Sequence, residues 1–238
     1  MVDREKTVPK SERHIVAIGG GLTQDAVVDY VLKLSGKPTP NVLFINTATG
    51  DHPDSLLRTY VRFAARSCVA THLPLFARTP VDLEALFLAQ DVIWVGGGNT
   101  KSMLAVWREY GIDKLLHKAW KHGVILSGSS AGGICWFEGC CTDSFAVNYV
   151  ALPALGFLKG SCCPHYDGEP GRPETYQGLI TSGELGNGYA IDEGVGMHFV
   201  GKDLHEVVIA KEATGAYKVR MQKGKIVQKK LPTRLITL

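Results

Sequence analysis

Apolar residues in this chain fall into short unbroken runs, separated by longer stretches in which they recur every three or four positions. The runs His14 to Ile18, Val42 to Asn46, Val69 to Leu73 and Val92 to Val95 are too short for helices and read as strands buried on both faces. Between them lie helical patterns from Gln24 to Leu34, from Pro53 to about Arg66 and from Val81 to Ala89. Ser35-Gly36 and Pro38 stop the first, and Pro53 occupies a first turn, where proline is tolerated. Two further helices, Lys101 to Tyr110 and Ile112 to His122, meet at Gly111 and lead into the apolar run Val124-Ile125-Leu126. Strand and helix alternating in this way predict a parallel sheet with helices on both faces, a three-layer α/β fold.

Beyond residue 130 the pattern is less regular. A helix after Ser130 is expected to end by Glu138-Gly139, and Thr142 to Ser144 and Leu155 to Leu158 read as irregular strands. Pro173 to Glu184 is helical. Five glycine-punctuated segments follow: Gly188 to Asp192, Val195 to Val200, Glu206 to Ala210, Ala216 to Arg220 and Lys225 to Gln228. Their spacing predicts antiparallel hairpins closing one side of the molecule.

The 238 residues suffice for a substantial core and are expected to form one domain, 1–238. A net charge of +3, with only the short basic runs Lys223-Gly224-Lys225 and Lys229-Lys230, leaves no nucleic-acid footprint. No apolar run reaches membrane-spanning length, and Met1 to Lys6 is too polar for a signal peptide. A cytoplasmic address with six reduced cysteines is therefore expected. The vicinal pairs Cys140-Cys141 and Cys162-Cys163, near Cys135 and His165, do not have the spacing of zinc ligands and read as small buried hydrophobes. No metal or cofactor is expected.

Chemistry concentrates where strands end. After Val124-Ile125-Leu126 comes Gly128-Ser129-Ser130-Ala131-Gly132, a Gly-x-Ser-x-Gly at a strand-to-helix corner. Such a corner has room only for small residues two before and two after the nucleophile. Ser130 has Gly128 and Gly132 there, whereas Ser129 would have Ser127 and Ala131, so Ser130 is the better candidate. Gly96-Gly97-Gly98-Asn99-Thr100 leaves the same carboxyl edge of the sheet after the preceding strand. Its bare backbone and the Ala131 N–H could hold an oxyanion, with Gly98 favoured as second donor and Gly97 as the alternative. Gly19-Gly20-Gly21 lacks the dinucleotide-binding pattern and lets the first strand leave the sheet. Among eight histidines, His165 stands at the end of an extended segment set by Pro164, before a polar loop, and suits a general base. His198 and His205 rank below it. Asp192-Glu193-Gly194 at a later turn offers a carboxylate to orient the imidazole.

Val95 to Thr100, Gly128 to Gly132 and Pro164-His165-Tyr166, in this order, resemble peptidase E, the α-aspartyl dipeptidase family whose wider relatives include cyanophycinase. The resemblance implies a class I glutamine amidotransferase-like fold, and a serine peptidase that acts on a small peptide without cofactor or metal. It implies Ser130 as nucleophile, His165 as base, and Gly98 and Ala131 as the oxyanion hole. The family's glutamate falls on Glu193, with Asp192 and Asp143 as alternatives. Arg172 is the nearest cation for a substrate carboxylate, in a loop from Asp167 to Pro173 that is more compact than the family's. A relaxed dipeptidase, an esterase, amidase or cyanophycinase-like hydrolase, and an inactive relative binding a metabolite or partner are the readings to separate. A homodimer is left open.

Overall fold

The computed structural model describes residues 8–21, 25–145 and 148–237. Its first half follows the expected alternation: β1 (His14–Ile18), α1 (Asp25–Lys33), β2 (Asn41–Ile45), α2 (Pro53–Ala64), β3 (Val69–His72), α3 (Leu83–Leu88), β4 (Val92–Val95), α4 (Thr100–Tyr110), α5 (Ile112–Lys121) and β5 (Ile125–Ser129). The expected start of the first helix, Gln24, lies outside the described residues. Local chemistry sets several boundaries. Pro53 opens α2 behind the His52 ring, which accepts from the Asp54 N–H at 3.3 Å. Asn99 caps α4 by accepting from the Ser102 N–H at 2.8 Å. Gly111, at φ 68°, makes the break between α4 and α5.

The second half is α6 (Ala131–Ile134), β6 (Phe137–Thr142), β7 (Val150–Pro153), β8 (Leu158–Cys163), α7 (Arg172–Ser182), β9 (Gly188–Ile191), β10 (Gly196–Val200), β11 (Asp203–Ile209), β12 (Ala216–Gln222), β13 (Lys225–Lys230) and β14 (Arg234–Leu235). Two sheets result, ordered β14-β11-β10-β1-β5-β4-β2-β3 and β13-β12-β9-β8-β6-β7. In the first sheet β1, β5, β4, β2 and β3 run parallel, and β10 joins β1 antiparallel.

Side chains alternate across that sheet. Ile15, Ala17, Ile93, Val95 and Leu126 pack with Trp107 of α4 and Leu116 and Trp120 of α5. Val16, Ile18, Phe44, Trp94 and Ile125 pack on the other face with Val27 and Val31 of α1 and Phe63 of α2. The first of these cores also takes in Leu158, Cys162 and Ala216 of the second sheet.

Three expectations are corrected. The helix after Ser130 is one turn long, and a strand begins at Phe137 where helix was expected to continue to Gly139. Gly132 and Gly133 give a helix little intrinsic support, and Cys140 and Cys141 complete ladders to β7 and β8 instead. Leu155 to Phe157 is loop, and the unexpected β7 lies before it. The C-terminal hairpins do not close one side together. The β10–β11 hairpin widens the first sheet, while β12 and β13 belong to the second. Hydrophobic alternation marks a strand but not the sheet it joins.

Candidate active site

β5 ends at a corner that its neighbours make obligatory. A Cβ on Gly128 would lie 2.6 Å from the Val95 and Gly132 carbonyl oxygens, and one on Gly132 would lie 2.3 Å from Val95 O. Gly133 is as tightly held, 2.4 Å from Ile18 O by the same measure. Ser130 at the corner has φ 56° and ψ −117°, a conformation costing a side-chain-bearing residue about 1–3 kcal/mol. Its N–H donates to Ile18 O at 3.0 Å, and its carbonyl accepts from Gly133 and Ile134 at 2.8 and 2.9 Å. These bonds hold the strain and turn the hydroxyl outward.

His165 follows β8 and the extended Pro164. Its N–H donates to Gly19 O at 2.7 Å, and its backbone is also left-handed, at φ 49°. The ring's Nε2 lies 2.9 Å from Ser130 Oγ, and Nδ1 lies 2.7 Å from Glu193 Oε1. A carboxylate only accepts, so Nδ1–H donates to Glu193. That leaves the Nε2 lone pair to accept from the Ser130 hydroxyl. Glu193 is itself placed by its N–H, which donates to Asp167 Oδ1 at 2.9 Å.

The first glycine run does more than release β1 from the sheet. A Cβ on Gly20, at φ 110°, would sit 2.2 Å from His165 Cε1 and 2.4 Å from its Nε2. One on Gly21 would sit 2.5 Å from Glu193 Oε2, and one on Gly168 2.8 Å from Glu193 Oε1. Three bare positions thus form the wall against which imidazole and carboxylate pack. The run of glycines was the available signal, but nothing in the sequence said what it faces.

In the second glycine loop, Gly96 donates to Ile45 O at 3.0 Å and Asn99 to Ala48 O at 2.8 Å. The Gly97 and Gly98 amides between them make no backbone bond among the described residues. Gly97 faces the serine: a Cβ there would be 3.1 Å from Ser130 Cβ. Ala131 is the first residue of α6, where no intrahelical acceptor exists. Hydroxyl, imidazole and carboxylate thus form one hydrogen-bonded chain, with the Gly97 backbone packed beside the serine.

A model of peptidase family S51 matches residues 15–207. The chain belongs to peptidase family S51. It is 41% identical over 229 residues to the uncharacterized peptidase YgaJ of Bacillus subtilis (strain 168), covering 94% of this chain and 99% of that one. It is 32% identical over 97 residues to the uncharacterized peptidase Lmo0363 of Listeria monocytogenes, covering 38% of this chain and 47% of that one. Two solved structures share the fold. One is a peptidase from an acI-B1 Actinobacterium, with TM-score 0.72, 15% identity and coverage of 92% and 94%. The other is a putative peptidase E protein from Listeria monocytogenes EGD-e, with TM-score 0.60, 19% identity and coverage of 92% and 99%. The expected kinship with peptidase E holds at the level of the family, and the protein is a peptidase of class I glutamine amidotransferase-like fold. No described helix is long and apolar enough to cross a membrane.

The other acids weighed for this S51 peptidase point elsewhere. Asp143 lies 3.5 Å from the Arg172 guanidinium. Asp192 is buried, and its Oδ2 accepts from the Gly215 N–H at 2.8 Å and the Tyr217 hydroxyl at 3.4 Å. Burial, with repulsion from Asp167, pushes its carboxyl up to about 6 from 3.8. The folded state then holds the proton more tightly than the unfolded chain, so stability falls as pH rises from about 4 to about 6. Asp192→Asn should remove that slope. Melting curves at pH 4, 5, 6 and 7 should show the variant gaining on wild type as pH rises; parallel curves would refute the assignment.

Arg172 is also drawn away from the serine. It is 1% exposed, donates through Nε to Glu169 Oε2 at 2.7 Å, and stacks 4.3 Å over the Tyr149 ring. It does not line the cleft of about 420 Å³ that holds Gly97, Ser130 and His165. Arg58 and Arg62 line it instead. Asn46 anchors their helix to the end of β2, its Nδ2 donating to Ser55 Oγ at 3.1 Å and Thr59 Oγ1 at 3.2 Å. Neither arginine has an ion-pair partner among the described residues. Burial pulls the Arg62 guanidinium below its usual value; neighbouring Arg66 adds to this and Asp25 opposes it. Positions i and i+4 of an amphipathic helix look like solvated surface in a sequence, so no local pattern marks this pair.

Cys135, Cys140, Cys141, Cys162 and Cys163 are free and buried. Burial pushes Cys140 up to about 12, so that thiol stays protonated and inert.

Proposed function

We propose that this S51 peptidase is a serine dipeptidase working through an acyl-enzyme, with Ser130 as nucleophile, His165 as general base and Glu193 as the orienting acid. One observation carries the reading: the chain Ser130 Oγ–His165 Nε2 at 2.9 Å and His165 Nδ1–Glu193 Oε1 at 2.7 Å, hung on a strained strand-to-helix corner. His165 takes the hydroxyl proton as Ser130 attacks the peptide carbonyl. The Ala131 N–H and one amide of the Gly97-Gly98 pair receive the oxyanion, Gly98 being the proposed donor. His165 passes its proton to the leaving amine, and water then releases the acid by the same route. A serine-directed fluorophosphonate should add one mass increment at Ser130; an unlabelled protein would mean a dead relative.

The cleft supports a preference for an acidic substrate. Two unpaired guanidiniums at i and i+4 repel each other until an anion joins them, and bidentate arginine suits a carboxylate. Arg58 and Arg62, rather than Arg172, are the proposed partners of an acidic side chain next to the scissile bond. Charge-assisted bonds of this kind are worth about 1.5–3 kcal/mol. Arg58→Gln/Arg62→Gln should therefore raise KM for Asp-Leu by about 10- to 100-fold and leave Ala-Leu almost unchanged. Equal loss on both dipeptides would reject acid recognition by this pair while leaving the acyl-enzyme reading intact.

A further inference from the structure

At the amino end of β1, about 20 Å along the chain from the glycine wall at Gly20, three imidazoles and a carboxylate gather on one face of the first sheet. The proposed catalytic cycle uses none of them. His14 Nδ1 lies 2.9 Å from His198 Nε2, and the His198 and His205 rings are 5.3 Å apart. The Tyr30 hydroxyl lies 2.5 Å from His198 Nδ1 and donates to Glu206 Oε1 at 2.7 Å. Arg234 donates to both Glu206 oxygens, at 2.6 and 2.9 Å.

The backbone explains the gathering. His198 pairs with Glu206 across β10 and β11, but Phe199 pairs with Leu204, so His205 is an extra residue in the ladder. In a regular strand residues 205 and 206 would face opposite ways. A bulge lets both lean to the side of His198.

Counting protons shows which atoms can still act. Tyr30 gives its one proton to Glu206, so its oxygen accepts from His198 Nδ1–H, and His198 Nε2 accepts from His14. The His205 ring is exposed and makes no hydrogen bond among the described residues. Among the described residues Glu206 Oε2 receives a single bond, from Arg234.

We propose that His198, His205 and Glu206 form a binding site for a divalent cation of the zinc class, with the remaining position open to water. One ligand atom from each residue lies within 4.8 Å of the other two. Around tetrahedral zinc such atoms stand roughly 3.3 Å apart, so the exposed His205 has only to close inward. Imidazole with carboxylate favours zinc, copper or nickel over calcium or magnesium. His198 gives up one of its ring hydrogen bonds to bind. Tyr30 and Arg234 then hold the carboxylate from behind, as outer partners do in metal sites. The positive charge of Arg234 weakens the site, which yields the sharper test.

Chelator-treated, dialysed protein should bind one zinc per chain in calorimetry, and saturating zinc should raise its melting temperature. His205→Ala, a change at an exposed side chain, should weaken binding at least tenfold and abolish the thermal shift. Arg234→Gln should tighten binding several-fold by freeing Glu206. No stoichiometric binding, or binding unchanged in His205→Ala because it resides at the cysteines or the Ser130 cleft, would overturn the proposal.

Discussion

Ser130→Ala is expected to fold normally and to lose dipeptide hydrolysis by a factor of about 10⁵ or more, the scale seen when the nucleophile of a triad is removed. The fold should survive because the hydroxyl bonds to His165 Nε2, whereas the corner itself is held by main-chain bonds from Ser130 to Ile18, Gly133 and Ile134. Serine and alanine both carry a Cβ, so the left-handed backbone at φ 56° is no more strained in the variant. The checks are kcat on Asp-Leu, a melting curve, and the mass increment from fluorophosphonate, which should vanish. Turnover within tenfold of wild type in a cleanly folded variant would end the serine mechanism.

The second large effect is expected far from Ser130 in sequence. Gly20→Ala places a methyl group 2.2 Å from His165 Cε1, at a backbone angle of φ 110° that side chains rarely adopt. The ring has to move, and misplacing a catalytic group by about 1 Å costs on the order of 10²-fold in rate. A kcat lowered 10²- to 10³-fold is therefore expected, with a stability loss of about 1–3 kcal/mol from the backbone. Gly36→Ala separates the two causes, since Gly36 has φ 65° but open space around its Cα. It should lose stability and keep full activity. Fluorophosphonate labelling should slow in Gly20→Ala and not in Gly36→Ala. A Gly20→Ala enzyme with unimpaired kcat would mean that the glycine wall does not position the imidazole.

These two variants mark the boundary between what can be read locally and what cannot. Ser130 is legible because its constraint is written within five residues: the corner admits only small neighbours, and Gly128 and Gly132 are there. The wall at Gly20 is not legible, because its partner His165 lies 145 residues on and is brought there by β8 of the second sheet. The choice among Glu193, Asp192 and Asp143 was open for the same reason. Adjacent residues 192 and 193 point different ways, one to Gly215 and the other to His165. Arg172 looked available, since a cation next to a candidate base suits a substrate carboxylate, yet Glu169 and Asp143 occupy it.

Apolar periodicity and glycine placement by themselves determined the parallel half of the first sheet, the carboxyl edge where chemistry collects, and the serine at its corner. Each follows from short-range rules, the repeat of strand or helix and the steric limits of a tight turn. Only the tertiary structure decided which carboxylate meets His165, which arginines face the cleft, where the second sheet lies, and that a bulge gathers His198, His205 and Glu206. Those depend on pairing between strands distant in the chain, and pairing is selected by the packing of whole faces, which no local pattern encodes.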